Sequence, residues 1–251
     1  MAERRYLELR RDGSTSILTL QREEKLNAIS SEVERELADA LGGDEVAGSR
    51  CVVFAGGERA FSAGADVTEF RDVTPEHVAE YYAGSGAIYE RVADLPQPTI
   101  SAISGWCLGA GLELALATDF RVADETATFG LPEVDLGIIP SSGGTHRLVR
   151  LLGAARAKEL MLLRERVEAS EALRIGLVTE VVPAGRALER ALELAARLVS
   201  LPPLAVTVAK QAVDAVAESS RGAAVLLERI SYGMLSQTEA AQRAAHEFGK
   251  K

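Results

Sequence analysis

The chain has 251 residues, enough for one large domain or a domain with an appendage, and 47% are hydrophobic, which can build a sizeable core. A net charge of −9 argues against a general nucleic-acid binder, whose affinity rests on Lys and Arg neutralising phosphates. Two cysteines, Cys51 and Cys107, and three histidines, His77, His146 and His246, show no metal-ligand spacing. The cysteines read as buried free thiols, which fits a reducing, cytoplasmic setting.

In chain order, "MAERRYLELRRDG" is charged with no apolar core, so it does not read as a secretory signal. "YLELRRDGSTSILTLQ" alternates around Asp12-Gly13 and predicts a hairpin. "SSEVERELADALGGD" predicts an amphipathic helix capped by Ser30 or Ser31 and stopped at Gly42-Gly43. "CVVFAG" is a continuous apolar run, the mark of a strand buried on both faces, and it feeds the loop "GERAFSAGADVTEF". A polar, partly helical stretch follows from Pro75 to Ala93. "PTISAIS" then reads as a strand, "GAGLELALAT" as a helix, "DFRVAD" and "ATFG" as short strands, and "LPEVDLGIIPSSGG" as a long loop. From Gly144 the patterns are helical, interrupted by the strand "GLVTEVVP". Thr99 to Thr118 is long and apolar enough to suggest a membrane span. Pro98 and the glycines favour a buried strand–turn–helix instead, and no membrane partner is expected.

Glu113 stands out because it is the one carboxylate in "SGWCLGAGLELALA". One helical turn away lie Gly109, Ala110, Leu116 and Ala117, none of which pairs with a charge. A lone carboxylate on an apolar face tends to hold its proton. It therefore has either a hidden partner, such as backbone amides, or a place in chemistry. The glycines at 105, 109 and 111 match the G-x-x-x-G-x-G spacing of short-chain dehydrogenases, but no Tyr-x-x-x-Lys accompanies them and the turn lies mid-chain. No G-x-S-x-G elbow and no P-loop is present.

A helix start after glycines offers free N–H groups that can stabilise a developing oxyanion. A second such donor could come from "FSAGAD", where Gly64 permits unusual dihedrals and Ala65 offers its amide. Glu133 follows Pro132 among apolar or small residues, and supplies a second carboxylate for acid–base work unless it is a solvent-exposed turn residue. Asp66 and Asp119 read as loop stitches, Ser62, Ser141 and Ser142 as turn residues, and His146 receives no role.

"FSAGAD" and "GWCLGAGLELALATDFRVADETATFGLPEVDLGIIPSSGGTHRL" resemble the enoyl-CoA hydratase (crotonase) family. "LQREEKLNAIS" and "ASEALRIGLVTEVVP" extend the resemblance over nearly the whole chain. The two glutamates stand twenty residues apart, as in the hydratases.

The resemblance implies an α/β fold: a spiral of strand–strand–helix units over 1–190, with a helical trimerisation region over 191–251. A homotrimer, or a hexamer of two trimers, is implied as well. The implied reaction is reversible addition of water to a 2-enoyl-CoA. Isomerisation on the same enolate, or acyl-CoA binding without catalysis, are the alternatives. By similarity the N–H groups of Ala65 and Ala110 form the oxyanion hole, and Glu113 and Glu133 serve as base and acid. Arg22, Lys25, Ala63, Gly64, Asp66, Gly109 and Ser141 fall at substrate- or CoA-binding positions. No metal and no resident cofactor is implied; coenzyme A arrives with the substrate.

The chain departs from the family pattern in three places. "REEK" sets Glu23 and Glu24 against the Arg22 and Lys25 charges. Ser141 stands where a glycine is usual, and "LLRERVEA" replaces a Thr-Gly-x-Arg turn. Lys250 and Lys251 could reach a CoA phosphate.

Overall fold

A computed structural model describes residues 4–70 and 74–248. The predicted hairpin is β1 (Leu7–Asp12) and β2 (Thr15–Leu20), antiparallel across Asp12↔Thr15. α1 (Ser31–Leu41) starts where the Ser30 hydroxyl accepts the Val33 N–H, satisfying one free donor of the first turn, and gives way at Gly42. α2 (Asp44–Ala47) is a single turn before β3 (Cys51–Ala55), whose five residues are all buried.

From β3 the chain repeats one unit: a strand of one sheet, a short strand of a second sheet, then helix. The first unit is β3, β4 (Ala60–Ser62), α3 (Pro75–Ala83) and α4 (Ile88–Ala93). The second is β5 (Thr99–Ile103), β6 (Trp106–Leu108) and α5 (Ala110–Ala117). The third is β7 (Phe120–Asp124), β8 (Thr128–Gly130) and α6 (Gly144–Leu162), the last broken at Gly153, where φ is 79°. β9 (Val167–Glu168), α7 (Ala169–Arg174) and β10 (Glu180–Val182) close the spiral. α8 (Ala187–Val199), α9 (Pro203–Val216), α10 (Arg221–Leu235) and α11 (Glu239–Phe248) follow.

The larger sheet runs β1-β2-β3-β5-β7-β10 and the smaller β4-β6-β8-β9; only the β1/β2 and β8/β9 pairs are antiparallel. This is the expected strand–strand–helix spiral. One detail differs from the sequence reading. The glycine-rich turn after β5 contains the three-residue strand β6, pinned between β4 and β8, which three residues cannot announce by periodicity.

All eight residues of α5 are buried, so it is apolar all round because protein surrounds it. At about 12 Å it is too short to cross a bilayer. No single helix among the described residues is long and apolar enough to do so.

The expected boundary at 190/191 falls inside α8. Ala187, Ala191 and Ala195 of that helix are fully or nearly fully buried against Ile17, Val53, Ile100 and Val122 of the larger sheet. Small side chains let the helix lie close on the sheet, so the core layer continues through α8 and the outer helical part begins with α9.

Candidate active site

Two loops meet at the ends of the smaller sheet's strands. After β4, Gly64 has φ 112°, and after β6, Gly109 has φ 51°; L side chains rarely adopt either. A Cβ on Gly64 would lie 3.2 Å from the Leu108 carbonyl oxygen, and one on Gly109 would lie 3.5 Å from the Gly64 Cα. Glycine at both positions therefore lets the two backbones touch.

The backbone bonds fix which amides remain available. The bridge between Ile29 and Ala65 uses the Gly64 carbonyl (2.8 Å from the Ile29 nitrogen) and the Asp66 N–H (2.8 Å to the Ile29 oxygen). It leaves the Ala65 N–H outside the pairing. The Ala63 and Gly109 amides are occupied, donating to Leu26 and Gly130. Ala110 is the first residue of α5, so its N–H has no acceptor within the helix. Ala65 and Ala110 thus sit on facing loops, each with an amide that no backbone acceptor among the described residues takes up.

Glu113 is 3% exposed, and its hidden partner is a loop 29 to 31 residues further on: Oε1 accepts the N–H groups of Ser142 at 2.7 Å and Gly144 at 2.9 Å. Burial raises its proton affinity; the two amide bonds and the Arg147 charge oppose that rise, and the Glu34 charge adds to it. A Cβ at Gly144 would fall 2.9 Å from both Glu113 Cγ and Oε1, so only glycine admits the carboxylate there. The backbone-amide alternative and the catalytic one are compatible, since both bonds go to one oxygen.

Glu133 opens a 3₁₀ turn, Glu133–Leu136, after Pro132. It is half-buried rather than a solvent-exposed turn residue. A Cβ on Gly109 would lie 3.2 Å from its Oε1, which places the carboxyl beside the start of α5. Its Oε2 is buried with no partner among the described residues. Burial, with a smaller push from the Glu113 charge, raises its pKa from 4.5 to about 7. A carboxyl with that pKa and an unpartnered buried oxygen is poised to carry a proton at neutral pH.

The other expected site residues divide. Lys25 is exposed at the end of the 3₁₀ turn Glu23–Lys25. Arg22, expected toward phosphates, instead points into the protein: Nη1 meets Asp66 Oδ2 at 2.8 Å and the Ala28 carbonyl at 3.0 Å. Asp66 also accepts the Thr68 hydroxyl at 2.6 Å, the leading reason its pKa falls to about 2. This pair ties the segment before α1 to the Ala65 loop.

Ser141 is exposed; its neighbour Ser142 is the buried one, and it meets Glu113 through its amide. Asp119 stitches loops as read, accepting the Thr99 N–H at 2.7 Å and pairing with Lys210 at 2.9 Å. Both cysteines are buried and unbonded, and burial pushes the Cys51 thiol up to about 12. Lys250 and Lys251 lie outside the described residues.

Sequence reasoning missed the Ser142 and Gly144 amides and Arg147, whose Nη1 donates to the Ser142 carbonyl at 3.1 Å. The available signal was the Gly143-Gly144 pair, with φ 98° at Gly143 turning the chain into α6.

Comparison with known proteins places this geometry. A family model described as enoyl-CoA hydratase/isomerase matches residues 10–251. A probable enoyl-CoA hydratase of Rhizobium meliloti is 40% identical over 90% of this chain and 88% of its own length. A short-chain-enoyl-CoA hydratase of Clostridium acetobutylicum is 35% identical over 97% and 94%. Among solved structures, an enoyl-CoA hydratase from Bacillus anthracis superposes with a TM-score of 0.90 at 36% identity, covering 98% of this chain and 96% of that one. A putative enoyl-CoA hydratase from Streptomyces coelicolor gives a TM-score of 0.93 at 32% identity, covering 100% and 93%.

Proposed function

The chain belongs to the enoyl-CoA hydratase/isomerase family and is an enoyl-CoA hydratase; from that premise we propose how its residues carry the reaction. The thioester carbonyl of a 2-enoyl-CoA lies between the Ala65 and Ala110 amides. Glu113 takes a proton from water, and the resulting hydroxide oxygen bonds to the β-carbon. The C=C electron pair moves toward the α-carbon and the carbonyl, giving an enolate whose charge the two amides stabilise. Glu133 then delivers its proton to the α-carbon. One proton and one hydroxide have been added; Glu113 holds the proton taken from water and Glu133 is left ionised, so a proton returns to Glu133 and one leaves Glu113 before the next turnover. Water is a poor nucleophile without a base, and the α-carbon is a poor base without a stabilised enolate, so both carboxyls must serve one pocket. Protein groups supply both proton transfers and the charge stabilisation, so the scheme calls for no resident cofactor.

The observation that carries this reading is a buried and a half-buried carboxyl, both with raised proton affinity, the second beside Gly109 and sensing the charge of the first. The test follows loss of the conjugated enoyl-thioester absorbance with crotonyl-CoA. Rapid loss in the wild type and a fall of about 10²–10⁴ in Glu133→Gln supports the assignment. A variant that hydrates at the wild-type rate removes Glu133 from the mechanism. Migration of a 3-enoyl double bond without hydration would move the chain to isomerisation on the same enolate.

Assembly belongs to the same proposal. Val213 of α9 is 70% exposed, and Ile230 and Tyr232 of α10 are 61% and 75% exposed. Apolar side chains this open on the outer helices support a trimer, or two stacked trimers, covering that face. A cytoplasmic setting, supported by the two unpaired thiols, completes it.

A further inference from the structure

α1 carries a second carboxylate in the wrong place. Glu34 is 3% exposed, on the same side of the helix as Val33, Leu37 and Leu41, where an amphipathic repeat calls for an apolar residue. Two tyrosines from other helices converge on it. The Tyr81 hydroxyl of α3 donates to Oε1 at 2.6 Å, and the Tyr89 hydroxyl of α4 donates to the same oxygen at 3.3 Å. Tyr89 is 1% exposed. Gly86 is small for this purpose, since a Cβ there would come within 2.5 Å of the Tyr81 ring. The cluster is built, and the scheme above does not use it.

What lies on its far side is the loop that holds Glu113. The Ser142 side chain interacts with the Tyr81 hydroxyl. The Ser142 amide binds Glu113 Oε1, and the Ser142 carbonyl accepts from Arg147. Tyr81 gives its one proton to Glu34, so toward Ser142 its oxygen can act only as an acceptor. Ser142 and Tyr81 thus stand between the two carboxyls, with geometric bonds at both ends: Tyr81 to Glu34 and Ser142 to Glu113. A hydroxyl donating to a carboxylate at this distance is among the stronger hydrogen bonds, so it fixes the ring that the Ser142 side chain neighbours.

We propose that Glu34 is a positioning residue for the reaction, acting on Glu113 through Tyr81 and Ser142. The proposal rests on the hydratase reading above. Glu34 has two effects to separate. By geometry it keeps the Ser142 amide aimed at the base. By charge it opposes ionisation of Glu113. The other groups facing this pair are Tyr81 and its edge-on neighbour Tyr82 from α3, Tyr89 from α4, Glu133 from its turn, and Arg147 from α6, itself paired with Glu90 at 2.8 Å.

The test compares Glu34→Gln, which keeps an acceptor for the tyrosines and removes the charge, with Tyr81→Phe, which keeps the ring and removes the relay. Steady-state rates with crotonyl-CoA are measured from pH 5 to 9. In parallel, the Glu113 carboxyl is titrated by ¹³C NMR of glutamate-labelled protein, assigned with Glu113→Gln. In Tyr81→Phe, kcat falls roughly tenfold or more while KM stays within about twofold, the pattern of a misplaced base rather than lost binding. In Glu34→Gln, the Glu113 resonance and the acid limb of kcat/KM both move to lower pH. Unchanged kcat in Tyr81→Phe together with an unmoved Glu113 titration in Glu34→Gln overturns the proposal. The titration reads the coupling without turnover. A wild type that fails to hydrate, yet whose Glu113 titration moves in Glu34→Gln, refutes the hydratase reading and upholds the link between Glu34 and Glu113.

Discussion

Replacing the proposed acid should make the protein more stable while stopping its chemistry, and the gain should depend on pH in a defined sense. The Glu133 carboxyl has its pKa raised from 4.5 to about 7 by burial and by the Glu113 charge. A carboxyl that binds its proton more tightly in the folded state favours folding at low pH and loses that contribution as pH rises from about 4.5 through about 7. Above that window the folded protein holds a half-buried anion that the unfolded chain would solvate. The rise corresponds to about 3 kcal/mol, and solvent reaching part of the group reduces this to about 2 kcal/mol. Glu133→Gln is neutral at every pH and avoids the cost.

The stability advantage of Glu133→Gln over the wild type should therefore grow by roughly 2 kcal/mol between pH 5 and pH 8, or about 4–8 °C in Tm for a chain this size. Comparing the two pH values cancels any fixed cost of the new amide. Relief of the repulsion on Glu113 acts in the same direction. Denaturant or thermal unfolding at matched protomer concentration, on both proteins at both pH values, gives the number. An advantage of the same size at pH 5 and pH 8, or none at either, would refute the claim that Glu133 is held protonated by its surroundings.

Two other substitutions probe the frame around the carboxyls. Gly144→Ala places a methyl 2.9 Å from Glu113 Oε1 and from the Pro140 ring, so kcat should fall tenfold or more with a stability loss of about 1–3 kcal/mol. Steady-state kinetics showing wild-type kcat would mean that the loop gives way without moving the base. Arg22→Ala removes the ion pair to Asp66 and the bond to Ala28, and should cost about 1–3 kcal/mol of stability while leaving KM for the acyl-CoA within about twofold. Its coupling with Asp66→Asn in a double-mutant cycle measures the pair directly. A tenfold rise in KM with unchanged stability would return Arg22 to the phosphates.

The buried strands were legible because each is a short unbroken apolar run, and α1 because Ser30 and Gly42 bracket an amphipathic repeat. β6 was not, since its pairing with β4 and β8 comes from the fold and three residues carry no period. The site divides along the same line. Glu113 was conspicuous because every neighbour on its helix is apolar, so its anomaly is local. Its partners are the backbone amides of Ser142 and Gly144, and an amide has no residue-type signature to read.

Glu34 shows the converse. A glutamate on an amphipathic helix beside Glu32 and Glu36 looks like part of a solvated face, and nothing within one turn marks it as different. It becomes a site only when Tyr81 and Tyr89, 47 and 55 residues away, bring their hydroxyls to it. The two carboxylates pose one physical problem, a charge on the buried side of a helix. One is met by main-chain donors that sequence does not encode by type, the other by side-chain donors whose proximity only the fold supplies. Arg22 makes the same point from the opposite sign. A cation in a loop near a ligand-binding turn reads as a ligand contact until the packing shows Asp66 already beside it. Sequence can thus flag a charge whose local setting is wrong. The partner that corrects the setting, and so the role of the charge, is decided by contacts between segments far apart in the chain.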